Sequence, residues 1–222
     1  TLQHVQTISG TNDGSLALTK HMSEMRTLLS NGCENLFTDG ATGCGKSRLV
    51  PQMLTDFSFR RVCVFTISSV DVSSMQRNTR CASRFCMGNN RTGGATYGKA
   101  EVIICTAGLA MRWYADKGLA AFKDYDIFFF DEIHATETNP EYALLFDAIL
   151  CIRKHRQVRL VVASANYSVE MVAALNDIGG EWIVCKKRPF DVIEYTMTVP
   201  FPENAISAAR HLALAQFKSG NT

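Results

Sequence analysis

The octet Gly40-Ala41-Thr42-Gly43-Cys44-Gly45-Lys46-Ser47 constrains the fold of this chain more than any other feature. It fits the pattern G-x-x-x-x-G-K-[ST], which places a tight loop between a strand and the N-terminus of a helix. The flanks comply with that context. Asn35-Leu36-Phe37-Thr38-Asp39 reads as a short buried strand, and Arg48-Leu49-Val50-Pro51-Gln52-Met53-Leu54 as the helix that follows. In such a loop Gly40, Gly43 and Gly45, with Thr42 and Cys44 between them, let backbone N–H groups converge on phosphate oxygens. Lys46 can then reach the outer phosphates, and the Ser47 hydroxyl can ligate Mg²⁺.

A second motif supplies what the loop lacks. Asp131-Glu132-Ile133-His134 follows Ile127-Phe128-Phe129-Phe130, an apolar run that reads as a central strand, and parallel sheets bind ligands at strand C-termini. Asp131 is the candidate second magnesium ligand, and Glu132 the candidate base that orients and deprotonates an attacking water. The expected cofactors are therefore Mg²⁺ with ATP or another NTP.

The rest of the chain reads as alternating α and β. Leu18, Met22, Met25 and Leu29 recur at helical spacing and stop before Gly32. Further strands are expected at Val62-Cys63-Val64-Phe65, Val102-Ile103-Ile104-Cys105 and Leu160-Val161-Val162-Ala163, all continuous apolar runs suited to burial on both faces of a parallel sheet. Asn139-Pro140-Glu141 has the cap, proline and acid of a helix start, and the basic run Arg153-Lys154-His155-Arg156 suits its C-terminal dipole. Gly88 to Gly98 reads as a mobile surface loop.

Composition excludes several classes. At 222 residues, 46% hydrophobic and 20% charged, the chain can bury one good core and begin a second. It carries no membrane-length apolar run and no signal-peptide pattern, and its eight cysteines form no C-x-x-C pair, so a reduced, cytoplasmic setting is expected. For Cys44 a small side chain that merely fits the loop is the simplest reading. Net charge is only +2, but Arg77, Arg80, Arg84, Arg91, Lys99, Arg112 and Lys117 face only Glu101 and Asp116 in residues 77–117. Arg77, Arg80 and Arg84 would share one helix face, which an ordinary solvated surface explains equally well.

Taken in order, these segments resemble the first RecA-like domain of a superfamily 2 DExH-box RNA helicase, over roughly residues 16 to 200. Gly40 to Gln52 is similar to motif I, Asp131 to His134 to motif II, Thr106-Ala107-Gly108-Leu109-Ala110-Met111-Arg112 to motif Ib, and Ser164-Ala165-Asn166 to motif III. Two departures stand out: Asn166 replaces the usual threonine, and Thr66-Ile67-Ser68-Ser69-Val70 lacks the usual proline and arginine of motif Ia. They point to a divergent member, flavivirus-like or potyvirus-like viruses included, which would act in host-cell cytoplasm.

The resemblance implies an α/β fold, a RecA-like P-loop NTPase domain with a mostly parallel sheet and helices on both faces. It implies catalysis by Glu132, Lys46 and Asp131, and coupling of nucleotide to nucleic acid through His134 and Ser164. It implies contacts to single-stranded RNA, with DNA also open, from Ser68, Ser69, Thr106, Gly108 and Arg112. Residues 1–200 would form the ATP-binding domain, closed by a strand at Arg188 to Tyr195. Residues 201–222, with helical spacing from Pro202 to Phe217, would be a linker or the first helix of a second RecA-like domain, the rest of which lies outside the chain. The rival reading is a nucleotide-gated RNA-binding module without productive hydrolysis; a phosphate-loop kinase is disfavoured by the D-E-x-H and T-x-G-x-L-x-R segments.

Overall fold

A computed structural model describes residues 2–8, 17–55, 61–78, 85–87, 90–92, 102–186, 192–197 and 209. Its elements in chain order are β1 (Leu2–Ile8), α1 (Met22–Ser30), β2 (Asn35–Gly40), α2 (Lys46–Thr55), β3 (Val62–Thr66), α3 (Ser69–Asn78), β4 (Phe85–Met87), β5 (Asn90–Thr92), β6 (Val102–Thr106), α4 (Ala107–Lys117), β7 (Ile127–Asp131), α5 (Pro140–His155), β8 (Arg159–Ser164), α6 (Val169–Asp177), β9 (Glu181–Cys185) and β10 (Val192–Met197). Six strands form one sheet in the order β6-β3-β7-β8-β2-β9, and every pairing in it is parallel. All strand C-termini therefore open on one edge.

Alternation along each strand divides the core in two. Phe128 and Phe130 of β7 join Phe65, Phe122, Tyr142 and Ile149 on one face, while Ile127 and Phe129 join Leu36, Val64, Met25 and Met53 on the other. Both faces are apolar because helices cover both. The first face is dominated by rings: Phe65 lies 4.9 Å from Phe130, centroid to centroid, and Phe130 lies 5.2 Å from Phe146. Packing of this kind fixes the heights of β3 and β7 relative to each other, and with them the residues that follow.

Local signals hold where they can be compared. Asn139 caps α5, its side chain accepting from the Tyr142 N–H at 3.1 Å, with Pro140 in the first turn. The stretch before β2 is a 3-10 turn, Ala17–His21, leading into α1, and Gly32 takes a φ of 94° just beyond the helix end. Four strands go beyond the sequence reading. β9 extends the sheet past β2, β1 pairs antiparallel with β10 outside the main sheet, and β4 pairs antiparallel with β5, which falls within the Gly88 to Gly98 stretch that read as a loop. The rest of that loop, Arg80 and Arg84, and, apart from residue 209, the helix expected from Pro202 to Phe217 lie outside the described residues.

Candidate nucleotide site

β2 ends at Gly40 and α2 begins at Lys46, so the octet is the connection between them. Gly43 and Gly45 hold φ values of 83° and 108°, where any side chain is strained. At Gly40 the constraint is space: a Cβ there would sit 2.6 Å from Cys44 Sγ. Neighbouring elements anchor the loop at both ends. The Ala41 N–H donates to the Cys185 carbonyl at the end of β9 (2.9 Å), and the Leu18 N–H donates to the Cys44 carbonyl (3.0 Å). Thr42 and Gly43 are exposed at the tip, whereas Cys44 is buried beneath it, a packing position as its size suggested. Burial pushes the Cys44 thiol up to about 11.

Lys46 is 4% exposed, and its Nζ donates to the carbonyls of Gly40 (2.7 Å) and Ala41 (3.3 Å). The ammonium thus lies across the concave side of the loop. Ser47, one residue on, hydrogen-bonds the Asp131 carboxylate from the end of β7, although β8 separates β2 from β7 in the sheet. Asp131 is 3% exposed, and burial pushes its carboxyl up to about 7 against the lowering effect of the Ser47 hydroxyl. Its Oδ1 is buried with no hydrogen-bond partner. A desolvated carboxylate oxygen lacking a donor beside a serine hydroxyl is what a divalent cation satisfies, so the pair fits magnesium. Among the described residues no three His, Cys, Asp or Glu side chains converge as an all-protein metal cage would require.

Glu132 is the one non-glycine among the described residues with positive φ, at φ 55° and ψ 55°. Left-handed backbone at a glutamate costs about 1–3 kcal/mol and persists only where surroundings enforce it. It turns the chain sharply off β7, so Glu132 and His134 both stay at the strand end. His134 Nδ1 lies 2.9 Å from Ser164 Oγ and 3.3 Å from Glu132 Oε2. Ser164 Oγ donates to the Asn166 carbonyl (2.8 Å) and accepts from the Asn166 N–H (3.1 Å). With the serine proton used there, the network assigns the His134 hydrogen to Nδ1, shared between Ser164 and Glu132. Asn166 enters only through its backbone and its side chain is exposed, so this local turn does not depend on a threonine.

The residues expected to meet nucleic acid lie on the same sheet edge, beyond β7. Ser68 caps α3, accepting from the Asp71 N–H at 3.2 Å and donating to Asp71 Oδ2 at 2.6 Å, and Ser69 is exposed beside it. Thr106 is the N-cap of α4, Gly108 lies in its first turn, and Arg112 is exposed one turn further. A Cβ on Gly108 would come 2.7 Å from Glu141 Oε2, so the first turn of α5 closes over this glycine.

Two tyrosines near the site escaped the sequence reading. The Tyr142 hydroxyl is within hydrogen-bond distance of the carbonyls of Asp131 (2.6 Å) and Phe65 (3.1 Å), and the Tyr167 hydroxyl donates to the Thr38 carbonyl (3.1 Å). Nothing in periodicity separates such a tyrosine from an ordinary core aromatic.

The fold has a solved counterpart. The crystal structure of the Escherichia coli DEAH/RHA helicase HrpB superposes with a TM-score of 0.63 at 14% identity, over 77% of this chain and 22% of that one. The fold is that of a helicase RecA-like domain. Among curated proteins, the Arabidopsis thaliana DExH-box ATP-dependent RNA helicase DExH8 is 26% identical over 162 residues, 67% of this chain and 15% of its own length. The Oryza sativa zinc finger CCCH domain-containing protein 4 is 26% identical over 138 residues, 59% of this chain and 14% of its own. The chain thus spans a small part of each, and no family model matches it. These matches are plant and bacterial, and they lend nothing to a viral origin. Among the described residues of this RecA-like domain, no helix is long and apolar enough to cross a membrane.

Proposed function

We propose that this RecA-like domain is the first motor domain of an NTP-dependent RNA helicase, hydrolysing Mg-NTP and tracking single-stranded RNA. The observation that carries the reading is the meeting of Ser47, buried Asp131 and left-handed Glu132 at one strand edge. Ser47 and Asp131 would hold the magnesium, which supplies positive charge to the phosphate oxygens when bound. Lys46 exchanges the Gly40 and Ala41 carbonyls for phosphate oxygens of the substrate, while first-turn amides of α2 add N–H donors. Glu132 orients a water toward the terminal phosphorus and accepts its proton as the P–O bond to the leaving group breaks.

On the far side of β7, Ser68, Ser69, Thr106, Gly108 and Arg112 would follow an RNA backbone, reading phosphate and not sequence. His134 and Ser164 would relay between the two sides, each changing hydrogen bonds as Glu132 engages water. A second RecA-like domain would add arginines that stabilise charge on the transferred phosphoryl group, a contribution of roughly 10³–10⁵ in rate where arginine fingers have been removed or supplied. Phosphate release measured with and without single-stranded RNA, on the 222-residue chain and on a protein extended through a second domain, tests the reading. Turnover that RNA stimulates in the extended protein alone is expected. Nucleotide-dependent RNA binding without phosphate release in either would replace the helicase with a nucleotide-gated binding module.

A further inference from the structure

Tyr142 is wholly buried in the first turn of α5, a position that the cap of that helix holds fixed: Asn139 Oδ1 accepts the Tyr142 N–H at 3.1 Å. Its ring packs edge-on against Phe130, with centroids 5.5 Å apart. That leaves the hydroxyl at the point where the ladder between β3 and β7 ends. The last paired residues are Phe65 and Phe130, and the next contact across the two strands is Tyr142 Oη, 2.6 Å from the Asp131 carbonyl and 3.1 Å from the Phe65 carbonyl. A phenol has one proton to give, and the shorter contact marks Asp131 as its main acceptor.

The peptide whose carbonyl is held in this way leads directly into Glu132, where the chain takes its left-handed turn. Orientation of that peptide plane sets the direction in which both the Asp131 carboxylate and the Glu132 carboxylate leave the backbone. Phenylalanine would fill the same core at no desolvation cost, so what the hydroxyl adds is its bond to these strand-end carbonyls, that of Asp131 first. We propose that Tyr142 is a positioning residue for nucleotide hydrolysis: its hydroxyl locks the Asp131–Glu132 peptide and so aims the general base, without touching substrate or metal. It rests on the hydrolytic reading above, and adds to it a group in the first turn of α5.

Tyr142→Phe keeps the ring and removes the hydroxyl. Expected, in the protein extended through a second domain, are an unchanged KM for Mg-NTP and a kcat lower by roughly ten- to a hundredfold, the size of effect that a small misplacement of a reacting group produces, with the thermal midpoint lowered by only a few degrees for the one carbonyl bond lost. Hydrogen exchange gives a readout independent of turnover. In the variant the amides of residues 132–135 should exchange faster, while those of β8 and α6 keep their rates. An unchanged kcat with unchanged exchange at 132–135 overturns the proposal; so does a loss of kcat accompanied by exchange raised throughout the sheet, which would make Tyr142 a core residue only. If the extended protein with Tyr142 intact releases no phosphate at all, the hydrolytic reading fails separately. The exchange pattern then decides alone whether the hydroxyl locks this peptide.

Discussion

His134 Nδ1 lies 2.9 Å from Ser164 Oγ, joining the ends of two neighbouring strands of the sheet, β7 and β8. The same nitrogen lies 3.3 Å from Glu132 Oε2, so one imidazole hydrogen is divided between a strand-end serine and the candidate base. A donor divided in this way responds when either acceptor changes partner. Removing Ser164 Oγ with alanine should leave basal hydrolysis nearly intact but cut its stimulation by RNA about tenfold, in the usual range of coupling energies. Rates of phosphate release with and without saturating RNA measure this directly. Equal loss of both rates would make Ser164 part of the hydrolytic apparatus and not of the relay.

On the proposed reading Lys46 and Glu132 act at different points of the reaction and should separate kinetically. Lys46→Ala removes charge that meets the phosphates in the ground state, so nucleotide affinity and turnover should both fall. Glu132→Gln keeps the size and shape of a group that matters only as water loses its proton, so affinity should hold while turnover falls by about 10²–10³. Equilibrium binding of a fluorescent nucleotide in magnesium, set beside steady-state rates, distinguishes the two. Matching losses of affinity would remove the distinction of roles.

Asp131 should trade stability for metal binding. Burial pushes its carboxyl up to about 7, so at pH 8 the folded, metal-free protein carries a desolvated charge whose Oδ1 lacks a donor. Replacing it with asparagine removes that charge. In the presence of chelator the variant should melt higher by on the order of 1 kcal/mol, about 2–4 °C for a domain of this size, while magnesium-dependent hydrolysis is lost. A lower midpoint would mean that the carboxylate is already satisfied within the protein.

For Cys44 the pH dependence has a definite sign. Its thiol is raised from 9.0 to about 11, so its contribution to stability is complete below pH 9 and is lost as pH rises through 11. Only the thiolate alkylates, so at pH 8 the exposed Cys151 should be modified well before Cys44. Peptide mass spectrometry after timed iodoacetamide treatment follows both sites. Equal rates at pH 8 would show that the phosphate loop opens more readily than its packing implies.

How far the sequence carried depended on whether a feature was local. The octet, the β7 run ending in Asp131-Glu132, and the Asn139-Pro140 helix start each fold under constraints written within a few adjacent residues. β9 was missed because Glu181-Trp182-Ile183-Val184-Cys185 lies at the sheet edge, where burial alternates and no continuous apolar run forms. β1 was missed because its partner, Val192–Met197, lies at the other end of the chain. The fit of Asp131 to a metal, the shared hydrogen of His134 and the hydroxyl of Tyr142 arise from pairings between strands and helices distant in sequence. Motif spacing named the first two as residues, but only the fold gives their partners.

Arg112 offers the sharpest test of the RNA side. It is exposed on α4, one turn beyond the Thr106–Gly108 helix start, and the neighbouring β3 leads into Ser68 and Ser69 at the start of α3, on the same sheet edge. An arginine so placed can meet a phosphate of a strand running over both helix starts, and it makes no demand on base identity. Arg112→Ala should therefore weaken binding of single strands of every sequence by a similar factor, and reduce the slope of log affinity against log salt by about one. Titrations of homopolymeric RNAs at several salt concentrations provide both quantities. A weaker affinity with an unchanged slope would assign Arg112 to packing of the helix surface, and an effect confined to one homopolymer would point to base contact in place of phosphate.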